Sequence, residues 1–209
     1  MSTKRRVGIM GGTFNPIHLG HLIVAENAYE ELNLDEVLFV PSGNPYMKDY
    51  VDILDAKTRI DLVGEAIDDN NHFALSTIEV DRDGNSYSYE TIEGLKESNP
   101  DTEFFFMVGA DSLFTMEKWM CPEKIFNEVT VAVAARGGVS HEKMMEQVAY
   151  LEEKYNTKIV ILHSRAVEIS STQIRERVRK GQSIRYMVRY KTEQVIRKKG
   201  LYLEEKNKN

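Results

Sequence analysis

Val7-Gly8-Ile9-Met10-Gly11-Gly12-Thr13-Phe14-Asn15-Pro16-Ile17-His18-Leu19-Gly20-His21 is the stretch on which the reading of this chain turns. The apolar run from Val7 to Met10 predicts a buried strand, which breaks at the glycine pair Gly11-Gly12. The chain then turns through Asn15-Pro16 and opens a helix bearing His18 and His21. Gly11 and Gly12 have no Cβ to hold a ligand off the backbone, and a helix N-terminus presents free N–H groups and a positive dipole end to anions. A strand, a glycine turn and a helix start in that order predict a phosphate site.

His18 and His21 stand at i and i+3, so both imidazoles share one face of the first helical turn and can meet the same bound group. Gly20 between them is read as opening the space in front of that face. Imidazoles there donate hydrogen bonds to phosphate oxygens and, when protonated, set positive charge against a developing oxyanion. For either piece alone, a glycine-rich turn with two surface histidines is the plainer alternative; the combination after a strand favours the phosphate site. The dinucleotide fingerprint GxGxxG is not present in this loop.

Composition bounds the rest. With 209 residues and no Pro/Gly/Ser-rich linker, one domain over 1–203 is expected, followed by a polar tail at 204–209. Lys and Arg number 27 against 33 Asp and Glu, a net charge of -6, so bulk attraction to nucleic acid is not expected and a small anionic substrate needs a locally positive pocket. Cys121 is the only cysteine and cannot pair within the chain, which points to a reduced, cytoplasmic setting. Beside Pro122 and away from the phosphate loop, it reads as a packed thiol rather than a nucleophile. No run approaches the ~18 apolar residues of a membrane span, and no apolar leader follows Met1 to Arg6. His72, His141 and His163 lack companion spacing, so no metal site on the protein is expected.

Moving outward, Leu22, Ala25, Ala28, Tyr29 and Leu32 have helical spacing, and Glu36 to Pro41 is a strand buried on both faces. Strand, helix and strand make a βαβ unit and imply a parallel sheet with a right-handed crossover. A polar loop follows from Ser42 to Ile53. Asp55 to Ile67 is predicted as a helix capped by Asp55, with Ile60, Val63, Ala66 and Ile67 inward and Arg59 and Asp61 on a solvated face. Phe73 to Val80 is predicted as the third strand and Tyr87 to Glu97 as a helix starting in Ser86-Tyr87-Ser88. The run Phe104-Phe105-Phe106-Met107-Val108 predicts a central strand ending at Gly109-Ala110-Asp111-Ser112, with a helix over Ser112 to Glu117. Val129 to Ala135 is the next buried strand, His141 to Tyr155 a helix and Ile159 to His163 a last short strand. Arg136, where strand becomes loop, can reach a nucleotide or make a rim salt bridge.

Ile169-Ser170-Ser171-Thr172-Gln173-Ile174-Arg175 is a second candidate anion site. Hydroxyls and free N–H groups gather at a helix start, with Arg175 one turn in. That helix is expected to run to Val178, and a last one from about Met187 to Lys199, with Gly200 as its stop.

Two of these segments carry a resemblance. GGTFNPIHLGH is similar to the first signature of the nucleotidyltransferase superfamily with an HxGH motif, and ISSTQIR to its second. Within that superfamily the whole chain resembles the bacterial nicotinate-nucleotide adenylyltransferases. The resemblance implies one Rossmann-like, doubly wound α/β domain: a five- or six-stranded, mainly parallel sheet with helices on both faces. The first strand is expected beside the Phe104-to-Val108 strand, and the site in the crevice between them.

It also implies a reaction, Mg2+-assisted transfer of the adenylyl group of ATP to nicotinate mononucleotide with release of pyrophosphate. Gly11, Gly12, Thr13, Phe14, His18, His21, Gly109, Asp111, Arg136, Ile169, Ser171, Thr172 and Arg175 are then expected at ATP, with Asp111 receiving ribose hydroxyls. Thr13, Lys48, Tyr87, Ser88 and Trp119 are expected at nicotinate mononucleotide. Lys48 belongs to Asn44-Pro45-Tyr46-Met47-Lys48, which resembles the family's Pro-Pro-His-Lys element with Met47 in place of histidine. Asn85-Ser86-Tyr87-Ser88 resembles its Pro-Ser-Tyr-Thr segment, whose backbone amides receive the nicotinate carboxylate; an ordinary Ser-capped helix would look the same. Trp119 is expected to stack on the pyridine, with core packing as the alternative. The catalytic set is His18, His21, Lys48 and Arg175, and the Mg2+ travels with ATP. A homo-oligomer is left open. Other acceptors of the same superfamily, a non-catalytic ATP sensor and a histidine metal site are the rival readings.

Overall fold

In the computed structural model, which describes residues 4–45, 53–134, 140–163 and 167–203, the strand that opens the chain lies in the middle of the sheet. That strand, β1 (Arg5–Gly12), is followed by α1 (Leu19–Glu31), β2 (Glu36–Pro41), α2 (Ala56–Ile67) and β3 (Phe73–Leu75). Next come α3 (Ser88–Ser98), β4 (Thr102–Gly109), the single turn α4 (Ala110–Leu113), α5 (Pro122–Glu128) and β5 (Thr130–Ala134). The chain closes with α6 (His141–Tyr155), β6 (Ile159–Leu162), α7 (Ser171–Arg179) and α8 (Tyr190–Lys198). The sheet has six strands in the order β3-β2-β1-β4-β5-β6, and every pairing is parallel.

The apolar runs that show no alternation in sequence do alternate in space. Val7, Ile9, Phe104, Phe106, Val108, Val131 and Val133 point into one core with Ile92 and Leu95 of α3, Ile125 and Phe126 of α5 and Val148 and Leu151 of α6. Met10, Phe39, Phe105, Met107, Ala132 and Ala134 point into the other, against Ala25 and Ala28 of α1, Leu62 and Val63 of α2, Ile174 of α7 and Ile196 of α8. A strand covered by helices on both faces must be apolar at every position, because successive side chains enter opposite layers. The order turns round between β1 and β4, which are paired from Arg5 with Thr102 to Ile9 with Phe106. Connections from these two strands leave toward opposite faces and open a crevice at their carboxyl ends.

Several expected boundaries move, each for a physical reason. The third strand is Phe73–Leu75 rather than Phe73 to Val80. After the Ser76 N–H donates to the Phe39 carbonyl, Val80 and Asp81 both turn back to the Thr77 carbonyl. The helix expected over Ser112 to Glu117 begins earlier and stops sooner, at Ala110–Leu113 with Gly109 as its N-cap, followed by a 3-10 turn at Met116–Lys118. Asp111 thus lies inside the first turn. In α2 the Asp55 cap is as expected, its side chain accepting from the Thr58 N–H. The inward face of that helix takes Leu62 and Arg59, while Ile60 is only half-buried. The last helix starts at Tyr190, not Met187. Lys48, Met47, Arg136 and the tail 204–209 lie outside the described residues. Among the described residues no helix is long and apolar enough to cross a membrane.

Candidate active site

At the carboxyl ends of β1 and β4 the structure holds a cleft of about 840 Å³, within the size of small-molecule sites. Gly11, Gly12, Thr13, Phe14, His18, His21, Tyr87, Ser88, Gly109, Asp111, Trp119, Ser171, Thr172 and Arg175 all line it. Residues expected at one site from segments far apart in the chain are therefore brought together. Ile169 is the described exception: its side chain packs against the core on the α1 side and does not face the cleft.

One wall is the loop that joins β1 to α1. His18 is the N-cap of α1, with extended backbone. Its own N–H donates to Nδ1 of His21 at 3.2 Å, and the two rings stack with centroids 3.7 Å apart. Because Nδ1 of His21 accepts, its neutral ring carries the proton on Nε2. Phe14 meets the His21 ring edge-on at 5.1 Å. Gly20 does not open empty space in front of the pair: a Cβ there would stand 3.0 Å from Nδ1 of His18 and 3.5 Å from the Val167 carbonyl oxygen. It makes room for the His18 ring itself.

The second signature closes on the first. Ser170, as N-cap of α7, accepts from the Gln173 N–H at 3.1 Å. Ser171 donates its hydroxyl to the Pro16 carbonyl at 2.8 Å. Arg175 donates through Nη1 to the Asn15 carbonyl at 3.0 Å and through Nη2 to Oγ1 of Thr172 at 3.4 Å. Nε of Arg175 is buried and, among the described residues, has no hydrogen-bond partner. Two helix N-termini and a guanidinium thus converge at one end of the cleft, an arrangement that attracts phosphates.

The opposite wall is the start of α3. Its N-cap is Tyr87, which makes no side-chain cap bond, so Ser86 is not the cap that a Ser-started helix suggests. The Ser86 hydroxyl instead accepts from the N–H groups of Gly43 and Asn44, at 2.9 and 3.0 Å. Gly43 is glycine for a steric reason: a Cβ there would lie 2.2 Å from the Glu79 carbonyl oxygen. Glu79 is buried, lines the cleft and accepts from Oγ1 of Thr91 at 2.8 Å. Burial pushes its carboxyl above the usual carboxylate range, against the opposing hydrogen bonds of Thr91 and Ser86. Trp119 is half-buried and meets Phe106 edge-on at 6.3 Å, so it is neither wholly core nor wholly free.

Sequence reasoning missed Arg59. It is 1% exposed and donates through Nε to the Leu54 carbonyl, through Nη1 to Thr13 and through Nη2 to Gly43, at 3.0, 2.9 and 3.1 Å. The signal was present: Arg59 stands at i−3 and i−4 from Leu62 and Val63, on the apolar stripe of α2 and not opposite it. Tyr202 was missed too; its hydroxyl donates to Oδ1 of Asn15 at 3.1 Å in a buried contact. Among the described residues no group of at least three His, Cys, Asp or Glu side chains is placed to hold a metal ion.

Residues 9–177 match the model of the cytidylyltransferase-like family. A protein of Lachnoclostridium phytofermentans named probable nicotinate-nucleotide adenylyltransferase is 43% identical over 199 residues, covering 95% of this chain and 100% of that protein. One of the same name from Clostridium acetobutylicum is 41% identical over 199 residues, with the same coverage of both chains. Among solved structures, nicotinic acid mononucleotide adenylyltransferase of Plasmodium falciparum in complex with NaAD superposes with a TM-score of 0.77 over 95% of this chain and 97% of that one. At 20% identity that likeness speaks for the fold.

Proposed function

This chain belongs to the cytidylyltransferase-like family and, with its full-length relatives, to the nicotinate-nucleotide adenylyltransferases, and we propose the following account of how its residues perform that reaction. The enzyme transfers the adenylyl group of ATP to nicotinate mononucleotide, giving nicotinate adenine dinucleotide and pyrophosphate in NAD biosynthesis. An oxygen of the mononucleotide phosphate attacks the α-phosphorus of ATP, and the bond from that phosphorus to the bridging oxygen of pyrophosphate breaks. The attacking group is already anionic, so no protein nucleophile is needed and the protein's part is positioning and charge stabilisation.

His18 and His21 serve the ATP phosphates, with Nε2–H of His21 as a donor. Ser171, Thr172 and Arg175 hold the departing pyrophosphate, and Asp111 receives the ribose hydroxyls. At the other wall the N–H groups at the start of α3 donate to the nicotinate carboxylate and Trp119 covers the ring. Lys48 joins this set by family resemblance, and Arg136 by its place in the sequence just after the β5 run. Mg2+ enters chelated by the ATP phosphates, as part of the substrate. A cytoplasmic setting belongs to the same proposal, supported by the lone cysteine.

The observation that carries this reading is the meeting, in one cleft, of the histidine pair and the α7 start with the α3 start and Trp119. Incubation with ATP, Mg2+ and a panel of acceptors, following pyrophosphate and dinucleotide, tests it. Nicotinate mononucleotide is expected to react with kcat/KM about 10²-fold above nicotinamide mononucleotide, because a neutral amide sets its own NH2 against N–H donors. Equal values or a preference for the amide would remove the acceptor assignment; ATP binding without pyrophosphate from any acceptor would make the protein a nucleotide sensor.

A further inference from the structure

Arg59 is a guanidinium in a place where a charge is expensive to keep, and it is spent on backbone. Each of its three nitrogens donates to a carbonyl of a different segment: Thr13 in the loop after β1, Gly43 in the loop after β2, and Leu54 ahead of α2. In a planar trans peptide the C=O and the following N–H point opposite ways. Drawing the Thr13 carbonyl inward therefore turns the Phe14 N–H away from Arg59. The Gly43-Asn44 peptide is held at both ends, its carbonyl by Arg59 and its N–H by the Ser86 hydroxyl at 3.0 Å. Asn15, between these contacts, is gripped as well: Oδ1 accepts from the Tyr202 hydroxyl and the Leu54 N–H, and its carbonyl accepts from Arg175.

We infer that Arg59, assisted by Tyr202, is a positioning residue for adenylyl transfer: it fixes the peptide planes of the loop that aims the histidine pair and ties that loop to the acceptor wall. Burial keeps the Tyr202 phenol protonated well above its ordinary range, so it remains a donor to Asn15. A lysine cannot replace Arg59, because a point ammonium does not present the fork that meets carbonyls on separate segments. The role rests on the adenylyl-transfer reading, and acts through Thr13, Gly43 and Asn15 rather than on substrate.

The test is steady-state kinetics on Arg59→Lys and Tyr202→Phe beside the wild-type protein, each assayed well below its own Tm. A displaced loop misaligns the groups that meet the phosphates in the transition state, and sub-ångström to 1 Å misplacement costs on the order of 10–10²-fold. For Arg59→Lys, kcat at least tenfold down with the KM for ATP within threefold supports positioning; kcat within twofold of wild type, whatever the Tm, overturns it. A KM rise with kcat kept also overturns it, since that is loss of binding alone. Should Arg59→Lys not fold, Tyr202→Phe decides by the same split, with a threefold fall in kcat as the threshold. Absence of dinucleotide from the wild-type protein would instead sink the reaction assignment, which keeps the two failures apart.

Discussion

The phosphate wall is built on a buried loop whose Phe14, Asn15 and His18 are 2%, 4% and 3% exposed and which the start of α7 closes through Ser171 and Arg175, whereas the acceptor wall is stitched together across 43 residues by Ser86 and leaves Tyr87, Ser88 and Trp119 half-buried. The buried charge behind the first is the cation of Arg59, which also reaches the second through the Gly43 carbonyl; the buried ionisable group behind the second is the carboxyl of Glu79. A transition state that develops charge calls for donors that do not reorganise, and the first wall has the internal bonding for that. Recognition of one acceptor over another needs only a few donors at a defined distance, and a looser assembly suffices. The walls should therefore fail differently: damage to the first lowers turnover for every acceptor, damage to the second changes which acceptor is used.

His21→Ala gives the largest expected effect, about 10²-fold or more in kcat, the usual result of removing one charge-stabilising donor. Its unfolding midpoint should move little, since the imidazole is only half-buried and lines the cleft. The fall should be the same for nicotinate and nicotinamide mononucleotide. If instead the ratio of their kcat/KM values changed, the division between the walls would be broken, because the histidines would be reading the acceptor.

How far each wall could be read beforehand follows the same division. Gly11 to His21 declares itself because strand, glycine pair and histidine spacing are adjacent in sequence, and Ser171 to Arg175 because capping hydroxyls and an arginine fall within one helical turn. Most of the sheet was legible as well: unbroken runs such as Phe104 to Val108 fit a strand covered on both faces, although the third strand stops at Leu75 and not at Val80. The burial of Arg59 could be read from its place on the apolar stripe of α2, but its role and that of Tyr202 could not, since a buried donor is defined by the carbonyls it finds, and those come from the far ends of other elements. The partners of Ser86 were not legible either. A serine before a helix is so common as a cap that its actual partners, the N–H groups of Gly43 and Asn44, are visible only when the β2 loop is in place.

Ser86→Ala comes next in size and sharpens the comparison from the acceptor side. It leaves two backbone N–H groups without their acceptor, a loss of roughly 1–3 kcal/mol that the loop can avoid only by moving. An effect of about tenfold in kcat/KM for nicotinate mononucleotide is expected, with the KM for ATP within twofold and the acid-over-amide preference reduced. Acceptor titrations at saturating ATP measure it. A change confined to ATP would show that the Ser86 contacts belong to the phosphate wall.

Glu79→Gln should have the smallest effect, and it is read in stability rather than rate. Burial raises the carboxyl of Glu79 above its unfolded value of 4.5. Between that value and the raised one the folded protein holds a proton that the unfolded chain has released, so stability falls as pH rises through the window and stays lower above it. Glutamine has no such proton to lose, keeps an oxygen for the Thr91 hydroxyl and fits the same volume. The variant should therefore melt higher than the wild type at pH 8, by about 2–4 °C if the ionised carboxylate costs about 1 kcal/mol in a chain of this size. Its advantage should shrink as the pH is brought down toward 5. Thermal unfolding of both proteins at the two pH values checks the sign. A variant less stable than wild type at pH 8 would mean that Thr91, Ser86 and the nearby arginines more than offset the desolvation. The buried carboxylate would then be a fastening of the acceptor wall, and the two walls would be alike in being held by a buried charge.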